Sequence, residues 1–173
     1  MDAAEAFYRA VVGWEARDSG QQAMRYTLFS AGDTPVAGLM TIPPNAAAAG
    51  MRPGWVGYIG VDDVDAAAAR LTEAGGRIHR APDDIPGVGR FAVVADPQGA
   101  AFMLFRPSGQ MPAAEVAPGT PGHVGWHELY AADWESAFAF YAGQFGWTKA
   151  TSVDMGRWAP TSSSQPAATR SAA

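Results

Sequence analysis

Residues 4–14 read Ala-Glu-Ala-Phe-Tyr-Arg-Ala-Val-Val-Gly-Trp, and residues 137–147 read Ala-Phe-Ala-Phe-Tyr-Ala-Gly-Gln-Phe-Gly-Trp. Ala4, Ala6, Phe7, Tyr8, Gly13 and Trp14 each recur 133 residues later, as Ala137, Ala139, Phe140, Tyr141, Gly146 and Trp147. Phe-Tyr followed at equal distance by Gly-Trp is a poor candidate for coincidence and marks an internal duplication. A period this long exceeds any solenoid repeat; it fits a duplicated domain whose second copy is only begun. Ala3, Phe7, Ala10 and Val11 fall on one face at helical spacing, so the first copy is an amphipathic helix. Asp2 is placed to cap its start and Gly13 to end it in the left-handed conformation.

Working outward, residues 24–30 read as a strand and 35–41 as its hairpin partner, with Gly32-Asp33 in the turn. Residues 43–50 read as a loop. A second unit follows: a strand over 55–61, a helix capped by Asp62 or Asp63 and stopped by Gly75-Gly76, and a short strand over 77–80. A loop over 82–87, a strand over 91–95, the turn Asp96-Pro97-Gln98-Gly99 and a last strand over 101–105 complete it. The order is strand, helix, strand, strand, strand. Residues 108–121, rich in Pro and Gly, read as a linker. A strand over 123–130 then precedes the second copy of the opening helix.

Composition narrows the function classes. The chain has 173 residues, 48% hydrophobic, a net charge of -5 and no cysteine. That size supports an ordinary core. The acidic balance argues against a nucleic-acid surface, and the lack of thiols excludes disulfides, thiolate metal sites and a cysteine nucleophile. There is no leader-like run and no stretch near the ~18 apolar residues of a membrane span, so a cytoplasmic protein with no membrane partner is expected. Neither G-x-S-x-G nor a dinucleotide glycine loop is present; Gly87-Val88-Gly89 is too short and precedes no helix.

The βαβββ order, Asp62-Asp63-Val64-Asp65 before an alanine-rich helix, the doubled Phe-Tyr and Gly-Trp, and Asp96-Pro97-Gln98-Gly99 before a final strand together resemble the vicinal oxygen chelate superfamily. That superfamily holds glyoxalase I, extradiol dioxygenases and bleomycin resistance proteins, and the nearest branch resembles its two-domain glyoxalase-like members. The resemblance implies an α+β fold with paired βαβββ modules forming a curled mixed sheet around a cavity. On that template residues 2–107 form one such domain lacking its first strand. Residues 122–156 are the opening strand and helix of a truncated second domain. Residues 157–173 carry no periodicity and read as a disordered tail. One base restored ahead of codons chosen for residues 157–164 yields Pro-Met-Gly-Thr-Tyr-Gln-Leu-Phe, similar to residues 24–29, so the tail also reads as frameshifted.

The resemblance also implies where a metal would bind. Family enzymes hold a divalent ion with His and Glu side chains, as a Lewis acid for two substrate oxygens. The family spacing places the His positions at Trp126 and Val56 and the Glu position at Met103. None supplies a hard ligand, so no metal centre and no cofactor is predicted here, although relatives carry a divalent metal. The candidate ligand-binding cavity is lined by Val56, Tyr58, Met103 and Phe105, with Trp126 and Glu128 on one face of the later strand. His127, on the opposite face, reads as a strand residue, His79 as an edge residue and His123 as solvated. The expected function is metal-free binding of a small organic molecule. The alternative is a metal-dependent lyase or dioxygenase whose ligands lie in missing segments or a partner subunit. The strand over 124–130 is expected to replace the missing first strand, within its own chain or in a homodimer by strand exchange.

Overall fold

The structure, a computed structural model, describes residues 1–21, 24–109, 116–117, 119–152 and 166–169. It divides into two units: Met1–Trp55 with Pro112–Glu128, and Val56–Met111 with Leu129–Ala173.

In the first unit, α1 (Asp2–Val12) ends at Gly13, whose φ of 79° is the left-handed stop read from the sequence. Asp2 is not its cap. Met1 holds that position, and Asp2 instead pairs with Arg25 at 2.6 Å. β1 (Glu15–Asp18), β2 (Tyr26–Ala31) and β3 (Thr34–Met40) follow as an antiparallel sheet in that order. β1 was not expected, because Glu-Ala-Arg-Asp has no apolar alternation; it forms by pairing with β2, Glu15 opposite Ser30. α2 (Pro44–Ala48) is one short turn of helix within the expected loop. The core of this unit is aromatic. Phe29 is fully buried, Trp14 nearly so, and Tyr8 stacks on Trp14 with ring centroids 5.6 Å apart. Trp14 Nε1–H donates to the Gly122 carbonyl at 2.6 Å, which fixes residue 122 on this unit.

The second unit is a complete βαβββ module: β4 (Tyr58–Gly60), α3 (Val64–Glu73), β5 (Arg77–Ile85), β6 (Gly89–Ala95) and β7 (Ala101–Pro107). Its sheet runs β4-β7-β6-β5, with β4 parallel to β7 and the other pairs antiparallel. β4 is shorter than the strand expected over 55–61, and β5 runs through the expected loop to Ile85. It does so at the sheet edge with register shifts, where Pro82 need not donate a ladder hydrogen bond. Asp63 caps α3, accepting from the Ala66 N–H at 3.0 Å. Asp65 does a different job from capping: it takes both Arg90 Nε and Nη2 at 2.6 and 2.8 Å, tying α3 to β6.

α4 (Trp134–Phe145), capped by Asp133 and stopped by Gly146, joins this unit. Val64, Ala67, Ala68 and Leu71 of α3 meet Ala92, Val94, Phe102 and Leu104 of the sheet and Phe140 and Tyr141 of α4 in one core. Leu71 and Leu104 have no exposure, and burying each such side chain stabilises by roughly 1.5–3 kcal/mol. β8 (Thr148–Ser152) pairs antiparallel with β9 (Pro166–Thr169), four residues inside the stretch read as a disordered tail. Residues 157–165 and 170–173 of that stretch, and residues 110–115 and 118 of the linker, lie outside the described residues.

The strand expected over 123–130 is absent: that stretch joins no ladder, and Val124, Trp126, Leu129 and Tyr130 are exposed. The expected strand replacement within the chain is therefore not made. Alternation alone gives a strand its faces, but a strand exists only where another backbone accepts its hydrogen bonds.

Candidate functional site

Alternation along β7 settles which sheet face is available. Phe102 and Leu104 point to the helices and are buried, so Ala101, Met103 and Phe105 point the other way. On β6, Ala92 and Val94 belong to the helix side, leaving Phe91 and Val93 opposite. On β4, Ile59 packs toward the helix-side core, leaving Tyr58 and Gly60 opposite. The ladder then aligns a row across all four strands: Tyr58, Met103, Val93 and Arg80. The next row is Gly60, Phe105, Phe91 and Asp83.

The side chains of these rows form an aromatic platform. The Tyr58 ring meets Phe105 edge-on, centroids 5.7 Å apart and planes at 85°. Phe105 lies over Gly89, where a Cβ would come within 2.9 Å of its ring. Gly89 is thus required for space, not for an unusual φ. At the opposite rim the Arg80 guanidinium sits 4.7 Å from the centre of the Phe91 ring, a cation-π contact, and is held by Asp83 at 2.7 Å. The Arg80 hydrogen bond, followed by the Asp84 backbone N–H, keeps the Asp83 carboxyl below its ordinary pKa. The platform offers π faces, a thioether, one phenol and one guanidinium.

Of the six residues expected to line a cavity, Tyr58, Met103 and Phe105 are brought together. Val56 is half-buried in the chain entering β4, outside the ladder. Trp126 and Glu128 belong to the other unit and to the stretch that forms no strand. Phe91, Val93, Arg80 and Gly89 were not singled out from the sequence, although the alternation over 91–95 carried the first two. His79 is exposed on edge strand β5, as expected. His123 is not the solvated residue expected: its Nδ1 is 3.1 Å from the Pro121 carbonyl, and its Nε2 is buried without a hydrogen bond.

A second polar cluster fastens the Asp96–Gly99 turn to α4. Asp96, 1% exposed, accepts from the Gln98 and Ala100 N–H groups at 2.9 Å each and from the Tyr141 hydroxyl at 3.1 Å. Burial first, and the Asp96 charge second, raise the Tyr141 pKa. The Gln98 amide pairs with the Asp133 backbone in both directions, Nε2 to oxygen at 2.6 Å and nitrogen to Oε1 at 3.0 Å. A cleft of about 300 Å³ borders this turn, lined in part by Gly99, Ala100, Ala131 and Ala132. The Asp96 carboxylate beside it is committed to structure rather than to acid-base chemistry.

The residues at the family's metal positions do not fit a metal. Val56, Met103 and Trp126 offer no imidazole or carboxylate, and no group of three His, Asp or Glu is clustered among the described residues. No helix among them is long and apolar enough to cross a membrane.

Known proteins bear on this geometry. CFP32 of Mycobacterium tuberculosis, named for a conjectured glyoxylase activity, is 46% identical over 110 residues, which are 63% of this chain and 41% of that protein. The anthracycline biosynthesis protein DauV of Streptomyces sp. strain C5 is 39% identical over 151 residues, 81% of this chain and 54% of DauV. The chain thus spans about half the length of the curated relatives it matches. A crystal structure of a glyoxalase/bleomycin resistance protein from Streptomyces sp. CB03234 shares 28% identity over 61% of this chain and 90% of its own, with a TM-score of 0.26 that carries no argument about arrangement. The pattern that matches runs from residue 1 to residue 104, through α1 and the sheet of the first unit and on into β7 of the second, and by that match the chain belongs to the Glyoxalase/Bleomycin resistance protein/Dioxygenase superfamily.

Proposed function

We propose that this chain binds a small, flat organic molecule on the aromatic face of the β4-β7-β6-β5 sheet, without a metal centre of its own. The supporting observation is the four-strand row Tyr58, Met103, Val93 and Arg80, with Phe91 and Phe105 beside it. Stacking and apolar contact would hold the ring system. The Tyr58 hydroxyl and the Arg80 guanidinium, at opposite rims, would orient its oxygens. Relatives named for anthracycline biosynthesis make a hydroxylated polycyclic aromatic the first ligand class to try.

The test titrates the chain with a hydroxyanthraquinone, reading fluorescence and calorimetry. Binding is expected, with Tyr58→Ala and Arg80→Ala each weakening it about tenfold, near 1.4 kcal/mol. Binding indifferent to both substitutions would remove the platform from consideration. Elemental analysis of the purified chain provides the second arm. A stoichiometric divalent ion accompanied by turnover would replace this reading with a metal-dependent lyase or dioxygenase.

A further inference from the structure

The aromatic face of the β4-β7-β6-β5 sheet is unevenly filled. In the row Gly60, Phe105, Phe91 and Asp83, the two central rings are flanked by a carboxylate on β5 and by no side chain on β4. Phe91 is 7% exposed, with the Arg80 guanidinium over its ring. Phe105 carries the outer edge of its ring over Gly89, on the neighbouring strand away from β4. A Cβ at Gly89 would run into that ring and into the Arg106 carbonyl. Gly60 is the opposite case: among the described residues, a Cβ there would meet nothing within 4 Å. Tyr58, two residues earlier on the same face of β4, is 54% exposed and meets Phe105 edge-on.

The two glycines therefore act differently. Neither has a left-handed φ, so the backbone demands glycine at neither position. Gly89 makes room for the Phe105 ring. Gly60 leaves bare backbone beside that ring, with Tyr58 as its other neighbour on the face. Glycine within a strand weakens it and packs nothing, and its use is to let another group approach the backbone closely. Here that place is at the β4 end of the row, and the Arg80 guanidinium is at the β5 end. Neighbouring strands lie about 4.8 Å apart, so these two ends are separated by roughly 14 Å.

We infer that Gly60 is the residue that sets ligand size on this face: the terminal ring of a long fused-ring molecule lies on the bare backbone there, while an oxygen at its far end reaches Arg80. The inference rests on the aromatic face being the binding surface, and it adds the dimension of the ligand. Only a molecule spanning β4 to β5 uses both ends, so the face favours a linear four-ring ligand over a two-ring one. A side chain at position 60 would occupy the place of the terminal ring without disturbing the sheet.

Calorimetry on the full chain tests this with two probes, a hydroxynaphthoquinone of two fused rings and a hydroxylated tetracenequinone of four. The four-ring probe is expected to lose about tenfold in affinity to Gly60→Leu and to Arg80→Ala alike. Gly60→Ala, which adds one methyl to open space and so keeps the fold, should weaken it by less and in the same direction. The two-ring probe should respond to a substitution at one end at most. A four-ring probe that responds at one end alone would overturn the inference and leave the platform standing. So would a two-ring probe weakened equally by Gly60→Leu and Arg80→Ala. A four-ring probe indifferent to both Tyr58→Ala and Arg80→Ala would remove the platform itself, and the inference with it.

Discussion

Helices α1 and α4 share two alanines and the Phe-Tyr pair at the same spacing, each followed by Gly-Trp, and share their local geometry. Gly13 and Gly146 end them at φ 79° and 68°. Tyr8 stacks on Trp14 at 5.6 Å and Tyr141 on Trp147 at 5.3 Å. What lies against them differs. α4 buries Ala137, Phe140 and Tyr141, the last two in the helix-side core of the second unit, whereas α1 has no buried residue. Phe140 is 9% exposed and its counterpart Phe7 is 55% exposed. Tyr141 gives its hydroxyl to a buried carboxylate. The motif thus encodes a helix, its stop and a Tyr-Trp stack, while the surface beneath decides whether the phenylalanine contributes to stability.

Substitutions at paired positions probe that contrast. The largest effect is expected from Phe140→Ala, which removes a buried ring from a close-packed core and should lower unfolding free energy by about 3–5 kcal/mol. Denaturant melts give this directly, and a loss below 1 kcal/mol would mean that α4 is not held on the sheet. Tyr141→Phe comes next. It keeps the ring and strips Asp96 of one donor, for about 1–3 kcal/mol. It also carries a pH signature. Burial raises the pKa of Tyr141 above its ordinary value of 10.0, so its neutral form is the folded form. The stability it contributes is complete below that pH and declines as pH rises above it, because the unfolded chain ionises first. Wild type should therefore lose stability above pH 10 more steeply than Tyr141→Phe, and parallel curves would dissociate the hydroxyl from Asp96. The smallest effect is expected from Phe7→Ala, within about 0.5 kcal/mol at an exposed position. If Phe7→Ala instead matched Phe140→Ala in the same melts, the α1 face would be covered in solution and the contrast would vanish.

The candidate site was legible in part. Period-two alternation put Met103 and Phe105 on one face of their strand and Tyr58 on a face of another; the β4-β7 ladder sets the three side by side. Arg80 was hidden because residues 82–87 read as a loop after a short strand. Its place in the row depends on two register shifts in β5 that local pattern does not announce. Gly89 had no role in the sequence beyond a glycine pair too short for a phosphate loop, and the Arg106 carbonyl together with the Phe105 ring, which a Cβ would crowd, explains its lack of a side chain. Trp126 and Glu128 were assigned to the cavity through a strand that the chain does not form.

By itself the sequence determined the features that depend on near neighbours. These include the duplicated helix with its glycine stop, a helix cap at Asp62 or Asp63, the Asp-Pro-Gln-Gly turn and the βαβββ order. Each is fixed by dihedral preferences, side-chain spacing and hydrogen bonds that span a few residues. The tertiary structure decided which helix face is buried, that Asp65 bonds Arg90, that β1 exists at all, and that residues 124–130 form no strand. Those outcomes depend on whether a complementary surface or backbone edge is within reach. Burial and ladder hydrogen bonds are properties of a pair of segments, and a single segment can carry only half of that information.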